Sequence, residues 1–434
     1  MIFRKKRDVG QEVEDVLHSL SARMEALEND EPYVVRGEET QALLPSEGTR
    51  IADPAGLLSW DQCVAQARAI HGGGHRIDEL FTEEELKAVD DKVRRLNEEF
   101  KAVHRLDAVD IAISVSAGLL SAVVDIVLVG VPERTTEGLR GKPLENYVRD
   151  WFMDRFPPEE MERLARDASS KVPYDAPYNT GFTETYVEGL WPTMHRLYSL
   201  GHDPLLGFIV GTLDILTGRM TTIDKLGNLV VQEIPRYADR KAASLFAALC
   251  KQVIHLKTDV TTSMGLPAPL MGLFNLMQFG SIGEENQTVA QIVQGMYYEG
   301  YDFQHFCAQS IPAMLTEVVV RLGYFLKRVK EGDPIGQALP VTTNRDKRPK
   351  LSTMLFTAHS LATAVNAGRV AFSKNPMEIN YPQWIAFALY SFKQAKWVLV
   401  SKPEKQHAFV MDSLESDIAR IGTLDGSEVL LLGS

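Results

Sequence analysis

Along most of the chain, apolar residues return every three or four positions, the spacing that gives an α-helix one face to bury. Val13, Val16, Leu17, Leu20, Met24 and Leu27 form the first such run, an amphipathic helix with charges opposite and a surface for self-association. Residues 29–58 carry Pro, Gly, Asp and Glu without periodicity and read as a linker. The stretch 82–107 predicts a helix, capped by Thr82 and acidic in its first turn, where the helix dipole favours negative charge. Residues 132–192, rich in Pro, Asp, Glu and Tyr, predict a helix or two joined by loops. Apolar helical runs recur at 205–217, 241–256, 267–279, 309–329, 353–372 and 383–400. "GRMTTIDKLGNLVVQE" (218–233) instead alternates, with Leu226, Gly227 and Asn228 near a turn, and predicts a β-hairpin. The expected fold is therefore mainly α, a multi-helix bundle-like globule with a minor β-hairpin. Its expected parts are an amphipathic helix plus linker (1–58), a helical core (59–330, starting near Trp60) and a C-terminal helical region (331–434).

One stretch stands apart. Residues 109–132 are the most apolar in the chain, and the span from Ile111 to Val131 holds one charge, Asp125. It is long enough to cross a bilayer, but a carboxylate at that depth costs about 2.5–3.5 kcal/mol. The favoured reading is a buried helix, or two, of a soluble protein; a membrane segment is the alternative. Small residues such as Ser114, Ala117, Gly118 and Ser121 allow close helix approach. A break at Ser116, Ala117 and Gly118 would fold the stretch into a hairpin and bring Asp107, Asp110 and Asp125 together; the favoured plainer reading is a helix cap for Asp107 or Asp110 and a buried, hydrogen-bonded Asp125.

Composition narrows the function. With 45% hydrophobic residues, the chain of 434 buries a sizeable core. A net charge of −12 argues against a nucleic-acid partner, since phosphate binding needs concentrated positive charge. Only "FRKKR" (3–7) and "NRDKRPK" (344–350) are densely basic, and the first suits an anionic membrane surface. The three cysteines, Cys63, Cys250 and Cys307, are too scattered for a disulfide framework or a cysteine zinc site. With no apolar signal stretch at the start, the expected location is the cytoplasm, or the inner membrane as a peripheral or inserted protein.

The candidate chemistry lies in "MHRLYSLGHDPLLGFIVGTLDILTG" (194–218). His195 and His202, seven residues apart, fall about 20° apart on a continuous helix. Gly201 interrupts before His202, and Asp203-Pro204 then starts a new helix; either arrangement brings both imidazoles to one place. Further on, His255 and Asp259 stand at i and i+4 and share a helix face. His195, His202, His255 and Asp259 thus make a ligand set for a divalent metal such as zinc. A coordination position left to water would make the site hydrolytic, with Asp203 or Asp125 as general base or supporting partner. The plainer reading stands beside it: these groups cap helices and satisfy one another in a core.

"DIAISVSAGLLSAVVDIVLVG", the 194–218 stretch, "VIHLKTDV" and "GLPAPLMGLFNLMQFGSIG" together resemble an uncharacterised family of bacterial proteins associated with mobile elements. The His-Arg, following His and distant His-x-x-x-Asp are also similar to membrane-associated metal-dependent hydrolases of the LexA-regulated inner-membrane type. That second resemblance implies a metal at the four residues above and an Arg196 that contacts an anionic substrate. The expected function is a metal-dependent hydrolase acting on a phosphate ester, a phospholipid among the candidates. The alternative is a non-enzymatic membrane-associated effector or structural protein of a mobile element.

Overall fold

The computed structural model describes residues 82–422 except 137, 180–185, 263–264 and 283–284. The helix expected at 13–27, the linker and the start near Trp60 lie outside the described residues. The structure is mainly α with two small two-stranded antiparallel sheets, as the periodicity predicts.

Helix α1 (Glu83–His104) follows Thr82 and opens with three glutamates. Asp107 starts α2 (Ala108–Val124): its carboxylate accepts from the N–H groups of Val109 and Asp110 at 2.9 and 3.0 Å, and Asp110 returns the favour to Asp107. α2 runs unbroken past Ser116 and Gly118 and ends in a wider π turn, Asp125–Val129, closed by Gly130 at a φ of 64° that favours glycine. The hairpin envisaged at 116–118 is therefore absent. Asp107 and Asp125 stand about 27 Å apart at opposite ends of the helix.

Strands β1 (Glu133–Thr135) and β2 (Gly138–Arg140) form a small hairpin that periodicity missed, followed by α3 (Pro143–Arg155) and α4 (Pro158–Ala165). After a long loop come α5 (His195–Tyr198) and α6 (Val210–Thr217). The expected hairpin follows as β3 (Arg219–Ile223) and β4 (Leu229–Glu233), its turn tied by Asp224, which accepts from the N–H groups of Leu226 and Asn228. α7 (Leu245–Asp259) is capped by Ser244. The run at 267–279 is no α-helix: Pro267, Pro269 and a left-handed Leu270 leave only a 3-10 stretch, Met271–Leu276. α8 (Val289–Glu299), α9 (Phe303–Lys330), the short α10 (Ile335–Ala338), α11 (Leu351–Ser373), α12 (Tyr381–Lys396) and α13 (Lys402–Gly422) complete the order.

Helices α2, α9, α11 and α12 pack as a bundle of mixed direction. Lys327 and Lys350 both reach Asp107 and Asp110 at one end, while Arg369 reaches Asp125 at the other. α9 thus runs against α2, and α11 runs with it. Gln383 bonds His359 and Thr363, and the Asn380 N–H bonds Asn366, so α12 runs against α11. Ala117, Val320, Leu351, Leu355 and Ala358 share one buried cluster, so no division falls between 330 and 331: the C-terminal helices complete the same core. The stretch between α2 and α9 builds its own clusters, around Val172, Ile215 and Ile234 and around Leu197, Met271 and Met296.

Among the described residues one helical stretch, Glu83–Val129, is long and apolar enough to cross a membrane, and only 33% of its most apolar window is buried. α2 is therefore not the fully buried helix that its composition favours.

Candidate metal centre

The stretch bearing the first two histidines is a series of short turns. α5 ends at Tyr198, a 3-10 turn takes Leu200–His202, and Asp203 accepts from the N–H groups of Leu205 and Leu206 at 2.9 and 2.8 Å. Gly201 is a steric requirement: a Cβ there would lie 2.6 Å from the Tyr174 ring. Without it, Tyr174 stands edge-on to His202 and His255, at ring separations of 5.0 and 5.4 Å. The Tyr174 hydroxyl donates to Gln252 Oε1, and Gln252 Nε2 donates to the Gly201 carbonyl, which ties α7 to the turn.

Three imidazoles meet there. Ring centroids of His195 and His202 are 5.2 Å apart, and those of His202 and His255 are 5.1 Å apart. In each ring Nδ1 faces an oxygen: the Pro192 carbonyl at 2.8 Å, the Asp259 carboxylate at 3.0 Å and the Ser170 carbonyl at 2.9 Å for His195, His202 and His255 in turn. Each Nδ1 therefore donates to its oxygen, which leaves Nε2 of His202 and of His255 as the lone-pair nitrogen.

The Nε2 atoms gather on a residue that spacing did not single out. Asp175 Oδ1 is 3.1 Å from His195 Nε2 and 3.9 Å from His202 Nε2. Asp175, His202 and His255 each present a donor atom within 4.8 Å of the others. Nε2 of His202 and of His255 is buried and has no hydrogen-bond partner in the protein. Two orphaned lone pairs beside a carboxylate are costly unless a water or a cation fills the gap, and the carboxylate favours a cation. His195 faces oxygen with both nitrogens, so its Nε2 calls for a shared proton or a shared cation. The donor set, neutral imidazole plus carboxylate with Nδ1–H held from behind, fits a divalent metal such as zinc.

Asp259, read as a ligand from its i, i+4 spacing, stands behind the rings. Its oxygens take Arg196 Nε and Nη2, both at 3.1 Å, and the His202 Nδ1–H. It orients His202, and Asp175 takes the place expected for it in the donor group. Arg196 is committed to this buried pair and does not present a fork to an outside anion. Asp203, cast as a base, takes three backbone N–H groups, the third from Leu270 at 2.6 Å. Asp125 lies in the bundle with Asn366, Asn380 and Arg369, none of which belongs to the histidine cluster.

The electrostatics agree with this arrangement. Burial pushes the His202 imidazole down to about 4, so it is a neutral donor at neutral pH. Burial works to raise Asp259, but Arg196 and the two histidines beside it hold its carboxyl well below the usual range. Asp175 is also held low, burial being outweighed by the His195 hydrogen bond and by the neighbouring His255 and His202. Its side chain is 34% exposed, against 0% for His202, so solvent reaches the cluster at Asp175.

A cavity of about 340 Å³ is lined by Arg134, Arg140, Arg149, Thr261, Thr262 and Tyr297, beginning two residues beyond Asp259. Arg149 there is bonded to Glu145 and Asp302. The comparisons with known proteins found no matching family model, no matching curated protein and no matching solved structure.

Proposed function

We propose that the chain is a metal-dependent hydrolase whose divalent ion, zinc by donor type, is held by His195, His202, His255 and Asp175. The observation that carries this reading is the pair of buried, unpartnered Nε2 atoms beside the Asp175 carboxylate. A divalent ion bound there would lower the pKa of a coordinated water towards about 7 and so supply a nucleophile at neutral pH. The protein's own part is orientation. Ser170, Pro192 and Asp259 fix the ring tautomers, and Arg196 fixes Asp259. Asp175, open to solvent, is the carboxylate nearest an incoming substrate.

The substrate proposed is a phosphate ester. Support comes from the motif resemblance; Arg196 gives none, being paired inside, and Arg149 and Arg140 of the neighbouring cavity are likewise paired with carboxylates. The apolar helix α2 supports a place at a membrane, and with it a phospholipid as the ester. It equally favours a second reading, a membrane-associated effector or structural protein in which the histidine cluster only stabilises the fold.

The test is turnover of a chromogenic phosphodiester and of phospholipid vesicles by the zinc-loaded full chain. Metal-dependent hydrolysis that falls at least a hundredfold in His202→Ala and in Asp175→Ala is the expected result. A chain that holds one equivalent of zinc and hydrolyses neither substrate fails as a hydrolase.

A further inference from the structure

The α2–α9–α11–α12 bundle carries apolar residues along its outer face and places bonded polar groups within its core. On α2, the exposed positions from Val109 to Leu128 carry no charge, and Leu119, Leu120, Val123 and Val127 form the outward face. On α9, Met314, Val318, Leu322 and Leu326 recur every fourth residue and are all exposed, and Leu389 and Phe392, three residues apart, are exposed on α12. Beside the apolar cluster of Ala117, Val320, Leu351 and Leu355, the interior also holds polar groups that a soluble bundle puts outside. Ser121, His359, Thr363, Asn366 and Gln383 are buried and bonded across helices, as in Ser121 to the Pro312 carbonyl and Gln383 to Thr363. A bundle in water buries its apolar stripe and exposes its polar one. In a bilayer the preference reverses, because lipid chains solvate leucine while polar groups must find partners inside.

Charge and length say what covers this surface. Asp107, Asp110, Lys327 and Lys350 meet at one end, and Asp125, Arg369 and Glu378 at the other. The helical rise between Asp107 and Asp125 is about 27 Å, close to the roughly 30 Å hydrocarbon thickness of a bilayer. Lys327, Lys350 and the run "NRDKRPK" gather at the first end, suited to anionic headgroups. Between the ends, Glu317 and Arg321 are paired with each other at 2.7 Å. Gly118 lets α2 close on α11, since a Cβ there would meet the Ala358 carbonyl at 2.6 Å, a small-residue contact of the kind bilayer helices use. The outward apolar residues sit on three different helices, whereas a twofold partner would cover one patch.

We propose that this four-helix bundle is embedded in a lipid bilayer, with the segment that carries the histidine cluster at its Asp125 end. Gln304, at the start of α9, bonds the Val260 carbonyl just past α7, and Arg149 bonds Asp302, so that segment is anchored at this end. The proposal extends the membrane reading from one helix to four and stands whether or not a metal is bound.

The experiment uses the full chain in two measurements. In the first, membranes from expressing cells are extracted with alkaline carbonate. The protein stays in the pellet and dissolves only in detergent; release into the carbonate supernatant overturns the proposal. In the second, Cys63, Cys250 and Cys307 are replaced by serine and a bimane label is placed at Leu120→Cys, Val318→Cys or Lys347→Cys in vesicles. Brominated acyl chains quench the first two and spare the third, which belongs to the charged end. Labels at 120 and 318 that are shielded from water yet unquenched would show that a second copy covers the face, and would overturn the proposal.

Discussion

Asp259 illustrates how a residue correctly grouped by spacing can hold a different post. The i, i+4 rule places it on the His255 face, and the two side chains do approach to 3.6 Å. Spacing within α7 says nothing of Arg196, which arrives from α5 and claims both carboxylate oxygens. Breaking such a buried pair from one side costs about 3–5 kcal/mol, so the pair fixes His202 firmly. Asp175 was illegible for the opposite reason. It sits in "KVPYDAPYNTG", a loop without periodicity, twenty residues before His195, where no helical rule links it to a partner. Tyr174 beside it was unread on the same ground. A different carboxylate supplies a pH prediction. Asp214 accepts from the Thr221 N–H and hydroxyl, yet burial raises it from 3.8 to about 6. The folded chain then binds more protons than the unfolded one between those values, so this group's contribution is full below pH 4 and is lost as pH rises through 6. Against Asp214→Asn, the wild type should lose about 2 kcal/mol of relative stability from pH 4 to pH 7.5 in urea titrations. Equal pH slopes for the two proteins would refute this.

At the scale of elements, the long helices were readable because one apolar stripe at 3.6-residue spacing survives any tertiary arrangement. α9, α11 and α12 lie where the runs predicted them, and the β3–β4 hairpin turns where Gly227 said it would. Two kinds of element escaped. The run at 267–279 is apolar enough for a helix, but its prolines veto one. α2 was read as buried because composition counts apolar residues without saying which face meets protein. Between the histidines, Gly201 decides the turn, and its substitution tests the packing directly. Gly201→Ala drives a methyl into the Tyr174 ring and should cost about 1–3 kcal/mol. Gly295→Ala, in α8 with open space around it, should instead gain about 0.5–1 kcal/mol from helix propensity. Thermal unfolding of the two variants should therefore shift in opposite directions; a Gly201→Ala protein as stable as wild type contradicts the close contact with Tyr174.

For the whole molecule, the structure joins two regions built differently. The bundle has an apolar cluster and bonded polar groups inside and apolar residues outside, while the segment between α2 and α9 folds around buried apolar clusters of its own. Fold class was legible from periodicity, but the partition was not, because the bundle is assembled from helices nearly two hundred residues apart in sequence. The division expected at 330 fell between α9 and α11, which share one core. The same long-range assembly hid the donor set, whose members come from the loop at Asp175, the turns of His195 and His202, and α7.

The central claim is that this donor set holds a metal, and metal content measures it most directly. Wild-type full chain, purified without a histidine tag or chelator and analysed by elemental mass spectrometry, should carry about one equivalent of zinc. His202→Ala and Asp175→Ala should carry none, while Asp259→Ala should bind it with affinity lowered about 10–100-fold, as for a residue that orients a ligand. A wild-type chain that neither retains nor takes up a divalent metal, or an Asp175→Ala variant that holds it as tightly as wild type, would contradict the account.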